Sequence, residues 1–211
     1  MCRLLYIRSK EPFSIKNELQ KFAHIAKQSK EYQGHGWGCA WIERDQWKFY
    51  KNIQPIWEKD FDSFESTTIL IAHARSAFRD KDIHIDNNMP FFRDNYIYIF
   101  NGELHGVKIN ETGKTGAEKI FNYILRFNKN NIHEAILKGV KIIKKRSRYI
   151  KAMNFIIADR NSAYVYSDFN EDPDYFTLNY KKTPGQIYIA SEVDDPDSGW
   201  HKLETKTLRI Y

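Results

Sequence analysis

The sequence predicts an α+β chain in which sheets stack on one another and helices cover the outside. Three features carry that prediction. Short β-branched and aromatic runs outnumber helical stretches along the 211 residues. Stretches with apolar residues every three or four positions fall only in the first quarter and the middle. No repeat and no Pro/Gly/Ser-rich linker divides the chain, so residues 2–211 are expected to form one domain. A composition that is 42% hydrophobic and 15% aromatic can supply it with one sizeable core.

The elements follow in order. Cys2 to Ile7 reads as a short apolar strand. Ser14 is placed to cap a helix whose inner face is Ile15, Leu19, Phe22, Ala23 and Ala26. Trp37 to Ile42 and Trp47 to Lys51 read as paired strands, with a turn over Glu43 to Gln46. Thr67 to Ala72 is a β-branched apolar run, and Asn95 to Phe100 is a further strand. A helix is expected from Thr115 to Phe127, burying Ala117, Ile120, Phe121 and Ile124. A second helical pattern comprises Ile132, Ala135, Ile136, Val140 and Ile143. Strands are expected at Met153–Ala158, Ser162–Tyr166, Tyr175–Leu178, Gln186–Ile189 and Lys206–Tyr211. The order of strands within the sheets cannot be read from this pattern.

Charge and composition exclude some functions. The net charge is +6 and the isoelectric point about 9.1, which raises a nucleic-acid reading. The densest basic stretch, Lys138 to Lys151, runs along and past the second helical pattern. Lysines there complement the helix dipole and sit in solvent. No zinc-finger or RNA-recognition signature accompanies them, so a nucleic-acid partner is disfavoured. No apolar run approaches the roughly 20 residues of a membrane span, and Met1 to Lys10 lacks a signal peptide's apolar stretch. Cys2 and Cys39 form no CxxC pair or disulfide framework, so a reducing, cytoplasmic compartment is expected.

Cys2 carries the most chemistry. Removal of Met1, which a small second residue permits, leaves a thiol and a free α-amine on one Cα. The amine, with an ordinary pKa of about 7.7–8.0, is a base for a thiol of about 8.5, and no histidine is required. Gly34-His35-Gly36-Trp37-Gly38 is a glycine-dense turn entering a strand, without the spacing of a phosphate loop. Arg75 follows a buried strand, where a loop would expose it at a sheet end. It reads either as half of a surface ion pair or as a bidentate grip for a carboxylate. Asn101-Gly102 reads either as a plain turn or as the side-chain amide and backbone N–H of an oxyanion hole. Cys39 lies in an apolar strand and reads as core. His35, His73, His84 and His105 match no metal-ligand spacing, and neither metal nor cofactor is expected.

Taken in order, Cys2-Arg3-Leu4, His35-Gly36-Trp37-Gly38, Ala72-His73-Ala74-Arg75, Asn87 to Phe91, Asn101-Gly102 and Ala190-Ser191-Glu192 resemble a known family. The chain looks like a class II glutamine amidotransferase domain of the N-terminal-nucleophile hydrolase superfamily, in its stand-alone bacterial and archaeal form. The resemblance implies a four-layer αββα sandwich with the nucleophile at the start of an inner strand. It implies Cys2 as nucleophile, Asn101 and Gly102 as oxyanion hole, and Arg75 as the grip on the glutamine α-carboxylate. His73 would order the loop rather than move protons, and it counts with Arg75 and Gly102 among the implied substrate-binding residues. The implied substrate is glutamine or another γ-glutamyl small molecule, with ammonia passed to an acceptor synthase in trans.

The sequence also departs from that pattern. Thr115-Gly116-Ala117-Glu118 has glycine where the family's amine-binding aspartate stands. Glu103, Asp194 and Asp195 are candidate substitutes. Met89 and Phe100 stand where the family has histidines, and both read as packing changes. Three readings follow: a glutaminase feeding a synthase in trans, a self-sufficient γ-glutamyl amidohydrolase, or a catalytically silent basic binding protein on the same fold.

Overall fold

The strand after Cys2 is longer than its apolar run predicts. In the computed structural model, which describes residues 1–77 and 82–211, β1 runs Arg3–Ser14 and continues into helix α1, Ile15–Gln28. There follow β2 (Trp37–Glu43), β3 (Gln46–Asn52), β4 (Ser66–Ala74), β5 (Phe91–Arg93) and β6 (Tyr96–His105). Helices α2 (Gly116–Leu125) and α3 (Ile132–Arg146) come next, then β7 (Tyr149–Ala158) and β8 (Ala163–Ser167). The chain ends with α4 (Pro173–Phe176), β9 (Asn179–Thr183), β10 (Gln186–Ala190), β11 (His201–Lys202) and β12 (Thr207–Ile210).

Two antiparallel sheets result, a first ordered β11-β9-β10-β1-β4-β2-β3 and a second ordered β12-β8-β7-β6-β5. Period-two alternation explains how they stack. On β1, Leu5 and Ile7 join the cluster formed with Leu19 and Phe22 of α1, while Leu4 and Tyr6 join the core shared with the second sheet. Burial on both faces is why this strand reads as an unbroken apolar run. On the far side of the second sheet, Phe121 of α2 stacks on Tyr98 of β6 with ring centroids 4.7 Å apart. Burying one such ring stabilises the fold by about 1.5–3 kcal/mol. The layers are therefore α1, first sheet, second sheet, then α2 with α3: a four-layer αββα sandwich.

Local signals set the helix starts. Ser14 Oγ accepts from the Asn17 N–H at 3.2 Å, and Thr115 Oγ1 accepts from the Glu118 N–H at 3.1 Å. The five predicted core positions of α1 are all buried. The basic stretch runs from the second half of α3 into β7, with Lys144, Lys145 and Arg146 in the last turn of the helix.

One expectation fails, and one of two alternatives is removed. Tyr175 to Leu178 is not a strand, because Tyr175 and Phe176 lie in α4, which starts at Pro173 after Asp172 in the left-handed region (φ 50°). Proline's fixed φ is already helical at a first position, and this outweighs the β propensity of the aromatic pair. Asn101-Gly102 is not a turn. It continues β6, with Asn101 opposite Asn154 and Gly102 opposite Met153 of β7. The short strands β5, β9 and β11 carry too little alternation to be read locally.

Candidate active site

A cavity of about 560 Å³ opens where the start of β1, the segment after β4 and the end of β6 converge. Cys2, Arg75, Gly102, Glu103 and Gly116 all line it. The register explains the meeting. Arg3 lies opposite Ala74, so one further step places Cys2 across from Arg75. Cys2 also continues the alternation of Leu4 and Tyr6, which directs it between the sheets. Its Sγ approaches the Ser76 carbonyl at 3.7 Å. Burial pushes the thiol's pKa up, while the positive amino terminus, the Ser76 contact and Arg75 pull it down.

In the full chain Met1 covers the Cys2 nitrogen. The Met1 ammonium is paired with Glu31, and its carbonyl accepts from Gln33 Nε2 at 2.6 Å and from the Tyr175 hydroxyl. Neither Gln33 nor Tyr175 was legible as a site residue. Gln33 merely precedes the glycine-dense turn, and Tyr175 sits in a run that reads as a strand.

Asn101 is fully buried, and among the described residues both polar atoms of its amide lack a partner. It shares the parity of Ile97 and Ile99, opposite to Tyr98 and its helix contact, and so faces the first sheet. Leaving such an amide unpaired typically costs about 1–3 kcal/mol, a cost that a bound ligand can recover. Gly102 lines the cavity wall beside it. A Cβ there would stand 2.2 Å from the Ala152 carbonyl oxygen, so only glycine keeps β6 and β7 this close.

His73 and Arg75 sit differently from their sequence reading. His73 is fully buried and donates from Nε2 to the Phe100 carbonyl at 3.2 Å, tying β4 to the residue before Asn101. It thus orders a strand pair across the sheets rather than a loop. Burial holds its pKa down to about 3, so the ring is neutral at pH 7. Arg75 is only 8% exposed, not a surface residue. Among the described residues no carboxylate pairs with its guanidinium, and its side-chain contact is Asn88 Oδ1 at 3.5 Å. The glycine-dense turn holds its backbone: Arg75 N–H donates to Gly36 O at 2.8 Å, and His35 N–H donates to Arg75 O at 3.1 Å. Gly36 has φ +100°, and a Cβ there would meet Asn88 Nδ2 at 2.2 Å, so glycine is required.

The candidate substitutes for the missing aspartate separate. Glu103 lines this cavity and accepts from His105 Nε2 at 2.7 Å. Asp194 and Asp195 line a second cavity, of about 460 Å³, beside Trp200 and α1. A Cβ added at Gly116 would meet nothing within 4 Å. Met89 and Phe100 are both core residues and lining residues. Cys39 is fully buried with its pKa pushed up by burial, as its apolar strand implies. Among the described residues no group of three His, Cys, Asp or Glu side chains is placed to hold a metal ion. No helix among them is long and apolar enough to cross a membrane.

Comparison with known proteins follows the geometry. A family model described as "Glutamine amidotransferases class-II" matches residues 1–184. No curated protein gives a significant match. Among solved structures, the glutamine phosphoribosylpyrophosphate amidotransferase of B. subtilis is similar at TM-score 0.72 and 15% identity. That match covers 99% of this chain and 47% of the other, so this chain spans about half its length. A predicted glutamine amidotransferase of Pseudomonas aeruginosa matches at TM-score 0.65 and 14% identity, over 100% and 97% of the two chains. A class-II glutamine aminotransferase domain protein of Silicibacter pomeroyi matches at 0.67 and 14%, over 99% and 94%. At such identities the likeness is one of fold.

His73 has a measurable signature. Its folded pKa is depressed below the ordinary 6.5, so the unfolded chain binds the proton first as pH falls. The stability His73 contributes is complete above about pH 6.5 and is lost as pH falls toward 3. Between pH 7 and pH 5 the wild type should therefore lose about 2 kcal/mol more than His73→Gln in urea unfolding. Equal losses in both proteins would mean that the ring is charged in the fold.

Proposed function

The chain belongs to the class II glutamine amidotransferases, and on that premise we propose that it hydrolyses the side-chain amide of glutamine or of a related γ-glutamyl compound through a Cys2 thioester. One observation carries the reading: Cys2 and Arg75 share a cavity with Gly102, beside the buried and unspent amide of Asn101.

The reaction runs in two halves after Met1 is removed. The freed α-amine of Cys2 takes the thiol proton, directly or through one water, and Sγ attacks the amide carbon. The oxyanion accepts from Asn101 Nδ2 and the Gly102 N–H. Collapse breaks the C–N bond, and ammonia leaves with a proton from the terminal ammonium. Water activated by the same amine then cleaves the thioester, releasing the free acid and restoring the thiol. Burial of the thiol disfavours its anion, so deprotonation is best concerted with attack.

Arg75 grips the donor's α-carboxylate with two parallel N–H bonds. His73, neutral and tied to Phe100 O, positions the oxyanion strand and transfers no proton. Cofactor and metal have no part in this scheme. For a free α-ammonium, Glu103 is the carboxylate in reach of the cavity. The open space at Gly116 equally favours a γ-glutamyl donor carrying a substituent there. That supports the second reading, a self-sufficient amidohydrolase, beside a glutaminase that serves a synthase in trans. Rapid ammonia release from glutamine by the isolated chain favours the self-sufficient enzyme. Release only after a partner is added favours the synthase subunit.

Variants test the roles. Cys2→Ala should abolish ammonia release, and Asn101→Ala should lower kcat by about 10²–10³. Near-normal turnover in either removes the assignment. Arg75→Lys should raise KM for glutamine about 10- to 100-fold, the equivalent of about 1.5–3 kcal/mol of charge-assisted binding. An unchanged KM would mean that Arg75 does not hold the carboxylate.

A further inference from the structure

We infer that Gln33, backed by Tyr175, positions the terminal nitrogen of Cys2, holding the amine so that its lone pair faces the thiol. The inference rests on the reading of Cys2 as nucleophile and its own amine as base.

Three observations meet at one point. The Cys2 nitrogen is bonded to the Met1 carbonyl carbon, whose oxygen accepts from Gln33 Nε2 at 2.6 Å and from the Tyr175 hydroxyl. Gln33 is fully buried, and its Nε2 also lies 3.0 Å from Glu31 O and 3.2 Å from the Tyr175 hydroxyl, sharing its two N–H groups among these oxygens. Its Oε1 is buried and, among the described residues, accepts nothing. Tyr175 is in turn fixed by Arg3, whose guanidinium lies 3.9 Å over its ring and is paired with Glu192 at 2.5 Å.

Loss of Met1 removes the carbonyl that these donors hold and creates an amine with N–H groups of its own. An amide side chain offers both an acceptor and a donor, so Gln33 can turn its spare Oε1 to one of those N–H groups. That bond satisfies a buried acceptor that is otherwise costly to leave unpaired. It also fixes rotation about the Cys2 N–Cα bond, which decides whether the lone pair meets Sγ. Being neutral, Gln33 orients the amine without favouring its protonated form. Among the described residues, the charged and titratable groups lining the cavity are Glu31 after α1, Arg75 after β4, Glu103 and His105 on β6, Lys119 on α2 and Lys151 on β7, with Arg3 next to Cys2 on β1 paired to Glu192. A second carboxylate beside it would tilt that balance toward ammonium.

The test compares processed wild type with Gln33→Leu, Gln33→Glu and Tyr175→Phe. Two readouts are used: the pH profile of kcat/KM with glutamine, and the pH dependence of cyanate labelling at the Cys2 amine, read by peptide mass spectrometry. Gln33→Leu should lower kcat about 10- to 100-fold with KM within about twofold. Gln33→Glu should raise both the acid limb of the profile and the labelling midpoint by about one pH unit or more. A residue that only packs would change thermal stability and leave the midpoint alone. If wild type turns over glutamine while Gln33→Glu labels at the wild-type midpoint, the inference is overturned and the glutaminase reading stands. If wild type is inert toward glutamine yet the labelling midpoint moves, the inference holds and the glutaminase reading fails. Should the Gln33 variants not fold, Tyr175→Phe carries the test. A kcat about tenfold lower at constant KM supports the inference, and wild-type kcat defeats it.

Discussion

The pairing of β1 with β4 is the constraint on which the rest depends. With Arg3 opposite Ala74, the chain start comes to lie across from Arg75 and between the two sheets. A slip of one residue would turn Cys2 toward α1 and Leu5 toward the second sheet. Burial forbids the slip, because β1 is packed on both faces and would expose neither set without loss. Ser191 adds a lock at the same end, accepting from the Leu4 N–H at 2.8 Å and donating its own N–H to Leu4 O at 3.1 Å.

Around that strand, polar groups are divided between those satisfied in the fold and those left open. His73 spends its Nε2 proton on Phe100 O, and Asn154 spends its amide on Phe176 O and the Asp168 N–H. The Asn101 amide, directly opposite Asn154 in the second sheet, has no partner among the described residues. The same asymmetry separates Arg3, neutralised by Glu192, from Arg75, which faces the cavity with no carboxylate partner among the described residues. Unspent hydrogen-bonding capacity at and beside one cavity is what the proposed binding of a carboxylate and an oxyanion would require.

Several site residues were legible because their chemistry is local. A cysteine at position 2 brings amine and thiol together through one Cα, whatever the fold does. Glycine-dense Gly34 to Gly38 announced a close backbone approach, and Gly36 makes it against Asn88 and Asn52. Helix α1 was readable to its individual core positions, since Ser14 and a 3.6-residue period are both short-range signals. Asn101-Gly102 stayed open between two readings for the same reason. The dipeptide prefers a turn in isolation, and only pairing with β7 holds it extended.

What the sequence determined by itself is therefore the chemistry at hand and the periodicity that sorts each segment into strand or helix. Which side chains share a cavity was decided by the tertiary structure alone. Glu103 and Asp194 are equally acidic in the sequence, yet one lines the Cys2 cavity and the other a separate one. Gln33 and Tyr175 lie 142 residues apart and meet at 3.2 Å. No local propensity encodes such a contact, because it depends on how two sheets and a short helix close around the first residues of the chain.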